Sequence, residues 1–391
     1  MPTAASPINE KNRLVWIDAA RGFAIFGIFI VNILGFSAPY FLYGGAEDVW
    51  TSPIDQFIQA IIDIFFQASF YTLFSFLFGF SIQLMTDRLA EKNIAFYMIL
   101  LRRLIVLIGF GFIHSFLLWH GDILLSYGII GLLLLFFLQV RSRTILMWGM
   151  VLLSVTVGLF TLLLYQVRDH LDWYSVAAVS QAFENYQESS LLVILSQNYN
   201  DWVYANGGIA YLPLAGILLP LFLFGMYAAR QRIFHEPKKH LSLLKRLWYI
   251  SFVLFIAFKL GPYFYGNPTW FSYIQDNIGG TASAIFYLLS ITIMAQTELG
   301  KKLIKPFIYV GRMALTNYVF QSVISFTLFY GVGFGLYGSV SPTIGVVIVM
   351  IVFIFQVFFS KWWFQRFRFG PLEWVWRTLT YLKKQPLRKV F

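Results

Sequence analysis

The sequence contains no cysteine and few charged residues, and each shortage excludes a class of protein. Without cysteine, the chain has no disulfides, thiolate metal sites or cysteine nucleophiles. Charged residues make up only 12% of the 391 positions, against roughly a quarter in ordinary soluble domains. A chain that is 59% hydrophobic and so poorly charged cannot cover its surface against water. We therefore expect it in a lipid bilayer.

Ten apolar runs have the length of membrane-spanning helices. They lie at 14–36, 65–85, 104–120, 122–140, 144–166, 208–229, 246–264, 281–297, 307–330 and 342–361. Each has roughly the 17 to 25 residues that cross a hydrocarbon core, and none alternates as a barrel strand would. The sequence predicts an all-α polytopic membrane helix bundle of about ten transmembrane helices.

Lys and Arg are concentrated in every second connection, which is typical of loops that stay in the cytoplasm. The pattern predicts that both termini are cytoplasmic, and it explains the net charge of +11 without a nucleic-acid partner. We expect one integral-membrane domain over 1–391, in four parts. An N-terminal five-helix half (14–166) precedes an external loop with helical segments (167–207), a C-terminal half (208–361) and a basic, aromatic cytoplasmic tail at the interface (362–391).

The first span carries three polar residues at membrane depth. Asp18 and Arg21 are three residues apart and can pair on one helix face near the cytoplasmic surface. Asn32 lies eleven residues after Arg21, about three turns along the same stripe and toward the external surface. A plain alternative is that Asp18 and Arg21 only anchor a helix end.

The third and fourth predicted spans bring histidine and aspartate to a tight external turn. Arg102 and Arg103 begin this segment at the cytoplasmic side, and His114 falls within the span. His120 and Asp122 fall at the turn, where a carboxylate can orient an imidazole and raise its basicity. Two structural alternatives remain, a hydrogen-bonded core role for His114 and capping of the fourth span by Asp122.

The ninth predicted span begins with "GRMALTNYVFQS". Asn317 and Gln321 share one helix face, and Arg312 lies about one turn toward the cytoplasm. Arg312 is suited to an anionic group such as a phosphate. Interhelical hydrogen bonding is the structural alternative for the two amides. No Walker-type loop or G-x-G-x-x-G turn follows a strand, and the five histidines lack zinc-site spacing.

Several motifs resemble the bacterial YeiB family of multi-pass inner-membrane proteins, whose C-terminal half is a domain of unknown function. The motifs are "RLVWIDAARGFAIFGIFIVNI", "FYTLFSFLFGFSI", "HGDILLSYG", "GRMALTNYVFQS" and "FGPLEWVWR". From about Arg13 to Arg377, the motifs occur in the order of the family and at a similar spacing. The resemblance implies a bacterial cytoplasmic membrane location.

The opening stretch is also similar to the start of heparan-alpha-glucosaminide N-acetyltransferase and of the wider transmembrane acyltransferase superfamily. This resemblance implies transfer of an acyl group from cytosolic acyl-CoA, such as acetyl-CoA, to an acceptor across the membrane. In the heparan enzyme, an asparagine near the far end of this helix acts with a histidine in the following loop. Asn32 matches the asparagine, but "LGFSAPYFLYGGAEDVW" contains no histidine. The resemblance extends to the mechanism only if His114 or His120 comes to that place from the third span.

The leading hypothesis is therefore transmembrane acyl transfer. The predicted catalytic residues are Asn32, His114, His120 and Asp122. The predicted acyl-CoA-binding residues are Asp18, Arg21, Arg102, Arg103, Arg312, Asn317 and Gln321. We expect no metal and no tightly bound cofactor, with acyl-CoA as co-substrate, a small-molecule or glycan acceptor, and a homodimer by analogy with the heparan enzyme. The alternatives are a transporter or exporter, with Asp18, His114 and Asp122 as proton-coupling groups, and a non-catalytic scaffold or sensor.

Overall fold

The structure is a computed structural model that describes residues 13–171 and 174–389. Residues 1–12 of the predicted domain, 172–173 of the predicted external loop and 390–391 of the predicted tail lie outside these ranges.

The described part of the chain up to residue 171 is built from helices. In order they are α1 (Val15–Ser37), α2 (Tyr40–Tyr43), α3 (Ala46–Val49), α4 (Pro53–Phe65), α5 (Ser69–Glu91), α6 (Tyr97–Leu117), α7 (Leu124–Leu133) and α8 (Ser142–Gln166). The 3₁₀ turn Leu134–Phe137 extends α7, and another, Arg168–His170, follows α8.

Residues 174–389 continue in the same way. Their helices are α9 (Val176–Gln187), α10 (Leu191–Asn206), α11 (Tyr211–Arg230), α12 (Leu241–Phe255), α13 (Ser272–Ile274), α14 (Gly280–Met294), α15 (Glu298–Arg312), α16 (Ala314–Phe329), α17 (Pro342–Arg366) and α18 (Pro371–Tyr381). Shorter 3₁₀ turns lie at Gly208–Ala210, Gly261–Tyr265 and Thr269–Phe271, and π-helical turns at Ile256–Leu260 and Gln275–Gly279.

The prediction of an all-α polytopic helix bundle is confirmed. Within the described ranges, eight helical segments are long and apolar enough to cross a membrane. They are Val15–Ser37, Pro53–Glu91, Tyr97–Leu117, Ser142–Gln166, Gly208–Arg230, Leu241–Tyr265, Thr269–Met294 and Pro342–Arg366. Two shorter apolar helices, Leu124–Phe137 and Ala314–Phe329, occupy the predicted fourth and ninth spans. The cytoplasmic placement of both termini stays a prediction.

The connection between the first two predicted spans, residues 37–64, contains helices α2, α3 and most of α4. Ser52 caps α4 by accepting a hydrogen bond from the Asp55 backbone N–H at 3.2 Å, and Pro53 occupies the first turn. These signals begin a helix ahead of the predicted span. The chain then turns at Ala68, whose φ is +60°, so that α5 begins at Ser69.

Two pairs of glycines let helices pack backbone against backbone. A Cβ on Gly22 of α1 would lie 1.9 Å from the Phe307 carbonyl oxygen of α15, and one on Gly311 would lie 1.8 Å from the Asp18 carbonyl oxygen. Helices α5 and α11 approach in the same way at Gly79 and Gly225, where an added Cβ would lie 1.9 Å from a carbonyl oxygen of the facing helix. Small residues of this kind are the usual contact points of membrane helices.

Four of the connections that the charge pattern predicts to be external meet at one end of the bundle. This end, which we call the outer end, comprises residues 38–52, 118–123, 174–207 and 330–341. The Gly338 N–H donates to the Ser37 carbonyl at 2.7 Å, and the Gly331 N–H donates to the Tyr186 carbonyl at 2.8 Å. Helices α9 and α10 therefore cover the ends of other helices rather than standing apart.

Candidate functional site

A cavity of about 560 Å³ lies between α1, α5, α6, α16 and α18 and opens at the end of the bundle opposite the outer end. We call that opposite end the inner end. Among the residues that the structure describes, ten charged side chains line the cavity. The bases are Arg13, Arg21, Arg88, Lys92, Arg103, Arg312 and Arg377, and the acids are Asp18, Glu91 and Glu373. Seven bases against three acids leave an excess of four positive charges.

Asp18 and Arg21 meet as their spacing predicts, and they line the cavity instead of only ending a helix. The Arg21 Nη1 donates to Asp18 Oδ1 at 2.9 Å, and the Arg13 guanidinium donates to the same carboxylate. The Arg21 Nη2 donates to the Ser81 hydroxyl of α5 at 2.7 Å. The Asp18 side chain is only 3% exposed, so its charge is held almost entirely by the two guanidiniums.

Helix α18 closes part of the cavity mouth and fixes one of its arginines. The Arg103 guanidinium stacks 3.8 Å above the Trp376 ring, and Trp376 Nε1 donates to the Arg103 carbonyl at 2.9 Å. The neighbouring Arg102 instead donates to the Met98 carbonyl at 3.2 Å and does not line the cavity. Arg312 lines it, with its guanidinium 4.2 Å above the Phe364 ring.

Glu373 of α18 is an acid with a structural partner. It accepts hydrogen bonds from the Thr316 N–H at 3.1 Å and the Thr316 hydroxyl at 2.6 Å, in the first turn of α16. A carboxylate is favoured at the positive end of a helix. Burial nevertheless raises the pKa of Glu373, and the Thr316 contacts oppose that rise. Glu373 thus orders α18 against α16 at the cavity wall.

The deep end of the cavity is apolar and finishes against a histidine. Ile28, Leu124 and Tyr318 line this end, and the Tyr318 ring stacks on His114 with 5.0 Å between ring centroids. His114 is buried, with Nε2 2.7 Å from the Ser322 hydroxyl oxygen of α16. The cavity therefore leads from a basic mouth to the neighbourhood of a buried imidazole.

Asp122 faces His114, although the chain turns between them. His114 Nδ1 lies 2.9 Å from Asp122 Oδ1, within ion-pair distance but offset from the direction of a hydrogen bond. Asp122 Oδ2 accepts from the Ser115 hydroxyl at 3.1 Å and from the Leu125 N–H at 2.7 Å. The second of these bonds caps α7, so Asp122 has both the capping role and the position beside an imidazole.

His120 pairs with a carboxylate from the outer end and not with Asp122. Its Nδ1 lies 3.5 Å from Asp201 Oδ2 of α10 and 3.4 Å from the Tyr186 hydroxyl of α9. Asp201 also accepts from the hydroxyls of Tyr43 and Tyr186, each at 2.7 Å. Burial lowers the pKa of His120 and the Asp201 charge opposes that change. Burial and Asp201 both raise the pKa of Tyr186.

The three predicted amide residues lie outside the cavity lining. Asn32 is half-buried on α1, one turn beyond the cavity-lining Ile28 on the same stripe as Arg21. Asn317 donates to the Ser360 hydroxyl at 3.1 Å, and Gln321 donates to the Gln356 side chain at 3.0 Å. These contacts tie α16 to α17, which is the structural alternative of interhelical hydrogen bonding.

Several residues of this site carry no sequence signal strong enough to select them. Ser322 and Tyr318 stand in an apolar helix, where a single hydroxyl is common. Asp201 lies in a polar segment with no motif. Outside this site, Lys259 is fully buried within an apolar run, with Nζ 2.9 Å from Asp276 Oδ1. Only its charge at membrane depth was a usable signal.

Comparison with known proteins finds relatives over almost the whole chain. Residues 228–383 match a family model described as a protein of unknown function, DUF418. An uncharacterized protein YxaH from Bacillus subtilis is 36% identical over 99% of both chains. An uncharacterized protein YeiB from Escherichia coli is 30% identical over 95% of this chain and 96% of its own. An uncharacterized 39.9 kDa protein from Bacillus acidopullulyticus is 28% identical over 97% of both.

Proposed function

This chain belongs to the YeiB-like family of membrane proteins with a DUF418 domain, and we propose that it is a transmembrane acyltransferase. In this proposal it takes an acyl group from cytosolic acyl-CoA and delivers it to a small-molecule or glycan acceptor at the outer end. The proposed location is the bacterial cytoplasmic membrane, with both termini in the cytoplasm and a homodimeric assembly. We also propose that the chain is related to the transmembrane acyltransferase superfamily, which its opening stretch resembles.

The observation that carries the proposal is the charge of the cavity. An excess of four positive side chains among the described residues of a partly enclosed space attracts anions, because the low-dielectric walls of a cleft focus the field of its charges. The phosphates of coenzyme A supply several negative charges in one molecule. Arg guanidiniums match phosphate oxygens with paired hydrogen bonds, and six of the seven bases are arginines.

The shape of the cavity supports the same ligand class. The charged residues lie at the mouth, and the deep part is lined by apolar and tyrosine side chains such as Ile28, Leu124 and Tyr318. Acyl-CoA has the same polarity along its length, with phosphates at one end and a thin thioester-bearing arm at the other. Bound with its phosphates at the mouth, the molecule directs its thioester toward His114.

The chemistry assigned to the deep end is general base catalysis. His114 accepts a proton from the group that attacks the thioester carbonyl, and Asp122 stabilises the imidazolium that results. The C–S bond of the thioester breaks, and the proton passes from His114 to the departing thiolate. His120, with Asp201, and Asn32 are assigned to the acceptor side, since they lie toward the outer end.

A matched pair of variants tests whether the cavity binds coenzyme A. Arg103→Gln removes a cavity-lining guanidinium, whereas Arg102→Gln removes its neighbour outside the cavity. A charge-assisted hydrogen bond contributes about 1.5–3 kcal/mol, so we expect Arg103→Gln to weaken CoA binding by about 10-fold or more. Arg102→Gln should bind as the unmodified protein does. Absence of CoA binding at millimolar concentration would contradict the proposal.

Transport of a small organic anion is the second candidate, favoured by the buried ionisable cluster around Lys259. Lys259 Nζ lies 2.9 Å from Asp276 and 3.8 Å from Asp63, at the junction of α4 with the α12–α14 pair. Such groups at membrane depth are frequent in proton-coupled carriers. Proteoliposomes distinguish the two functions. Solute flux without an acylated product supports transport, and labelled product from acetyl-CoA supports acyl transfer.

A further inference from the structure

Ser322, His114 and Asp122 form an arrangement that the acyl-transfer proposal does not require. The Ser322 hydroxyl oxygen lies 2.7 Å from His114 Nε2, and His114 Nδ1 lies 2.9 Å from Asp122 Oδ1. The hydroxyl, the two ring nitrogens and the carboxylate follow in the order found in serine nucleophile triads, which are recognised by geometry and not by sequence position. We propose that Ser322 is a nucleophile that carries the acyl group as a covalent ester. This inference rests on the proposed function.

The surroundings of the three residues favour this role over a plain interhelical hydrogen bond. A Ser–His contact between α6 and α16 would need no carboxylate, yet Asp122 places an acid only 7% exposed against the other ring nitrogen. Asp122 is itself held by the Ser115 hydroxyl and the Leu125 N–H. A base oriented by a third, fixed group is what activates a serine hydroxyl. Catalytic hydrogen bonds without substrate are often misaligned, as the His114–Asp122 contact is.

Access to Ser322 runs through Tyr318. Tyr318 precedes Ser322 by four residues on α16, so the two side chains share one helix face. The Tyr318 ring lines the cavity on one side and stacks on His114 on the other, whereas Ser322 lies just beyond the lining. Rotation of this ring joins the apolar end of the cavity to the Ser322 hydroxyl. Tyr318 is thus the proposed gate between the thioester and its nucleophile.

The two half-reactions balance without any further reagent. In the first, Ser322 Oγ attacks the thioester carbonyl carbon, the C–S bond breaks, and the serine proton passes through His114 Nε2 to the thiolate of CoA. In the second, an acceptor hydroxyl attacks the ester carbonyl, the bond to Ser322 Oγ breaks, and the acceptor proton returns through His114 to Ser322. The acyl group ends on the acceptor and the protein is unchanged.

A covalent intermediate also fits the two-ended layout of the molecule. The cavity opens at the inner end, whereas α10 reaches the triad from the outer end, where the Asn198 side chain donates to the Ser115 carbonyl at 2.6 Å. With the acyl group stored on Ser322, the donor leaves before the acceptor arrives. The two substrates never need to occupy one open passage, which would leak ions across the membrane.

The direct test is acyl labelling of the purified full-length protein with radiolabelled acetyl-CoA in the absence of acceptor. We expect covalent label on the peptide that contains Ser322, and none in Ser322→Ala. Ser325→Ala is the matched control, because Ser325 is also buried on α16 and its hydroxyl has no hydrogen-bond partner within the described ranges. Turnover should fall by about 10³-fold or more in Ser322→Ala and stay unchanged in Ser325→Ala.

A second variant guards against simple misfolding of Ser322→Ala. Ser322→Cys keeps a nucleophile of similar size, and its acyl product is a thioester instead of an oxygen ester. We expect label on Ser322→Cys that neutral hydroxylamine removes, whereas label on the unmodified protein requires alkaline hydroxylamine. This change in hydroxylamine sensitivity identifies residue 322 as the acylated residue. A purely structural role of Ser322 would not produce it.

A fluorophosphonate probe separates failure of this inference from failure of the proposed function. It modifies activated serines without needing acyl-CoA. Probe on Ser322 that is lost in His114→Ala supports the nucleophile even if acetyl-CoA neither labels nor turns over, and then the proposed donor is wrong. No probe and no acyl label on Ser322 overturn the inference. Turnover of Ser322→Ala within about 10-fold of the unmodified protein also overturns it and leaves acyl transfer standing.

Discussion

Neutralising Asp18 should weaken the fold and strengthen ligand binding at the same time. Asp18→Asn removes the charge that holds Arg13 and Arg21, whose side chains are 24% and 25% exposed. Charge-assisted hydrogen bonds contribute about 1.5–3 kcal/mol each, and partial exposure screens these two. We therefore expect the free energy of unfolding to fall by about 2 kcal/mol, which lowers the melting temperature.

The effect on binding has the opposite sign. The substitution raises the excess positive charge of the cavity by one and frees two guanidiniums. For a phosphate about 8 Å from the removed charge, at an effective dielectric constant of about 20, Coulomb's law gives about 2 kcal/mol. This corresponds to about 30-fold tighter binding of CoA. The gain should shrink as salt is raised, because exposed charges are screened.

Calorimetric titration of the detergent-solubilised protein with CoA, at low and high salt, measures this change. Glu298→Gln is the control, since Glu298 lies on α15 outside the cavity and is paired with Lys301, at 2.6 Å. It makes the same change in net charge and should leave CoA binding unaltered. Unchanged or weaker CoA binding in Asp18→Asn would refute the assignment of the basic cavity as the nucleotide site.

Two further predictions concern stability. Gly22→Val should abolish recovery of monodisperse protein in size-exclusion chromatography, because its Cβ would lie 1.9 Å from the Phe307 carbonyl oxygen. The control, Gly158→Val, should be recovered normally, because nothing lies within 4 Å of the added Cβ. The pKa of His120 is lower in the folded protein than the usual value of about 6.5. As the pH drops below about 6.5, the unfolded chain therefore binds a proton at this histidine more readily than the folded protein does. The free energy of unfolding should fall over the same pH range. Thermal melting at several pH values checks this, and a His120→Gln variant that keeps the same acid sensitivity would contradict it.

The sequence predicted the parts of the site that lie close together along the chain. Asp18 and Arg21 pair as their spacing indicates, and Arg103 and Arg312 line the same cavity. Arg102 points elsewhere because adjacent residues on a helix face different directions. Asn317 and Gln321 share a face, as expected, but that face meets α17. Which neighbour a helix face meets depends on the packing of the bundle, which spacing does not reveal.

The pairing of histidines with carboxylates shows the same limit. The sequence places His120 and Asp122 two residues apart, yet Asp122 faces His114 and His120 faces Asp201. The turn that caps α7 directs Asp122 back toward α6, and α10 brings Asp201 over the outer end. Ser322 meets His114 across 208 positions of sequence, so no local pattern selects it over Ser325, the other serine of α16.

The sequence by itself determined that this chain is an all-α membrane protein. The free energy of transferring an apolar run into lipid depends on the residues of that run alone, so it can be judged segment by segment. It also determined the alternation of basic connections, on which the predicted orientation depends. The tertiary structure decided which charges share a cavity, which carboxylate faces which imidazole, and that a serine joins them. Those choices follow from helix contacts over long sequence separations, and close packing at pairs such as Gly22 and Gly311 fixes them only in the folded bundle.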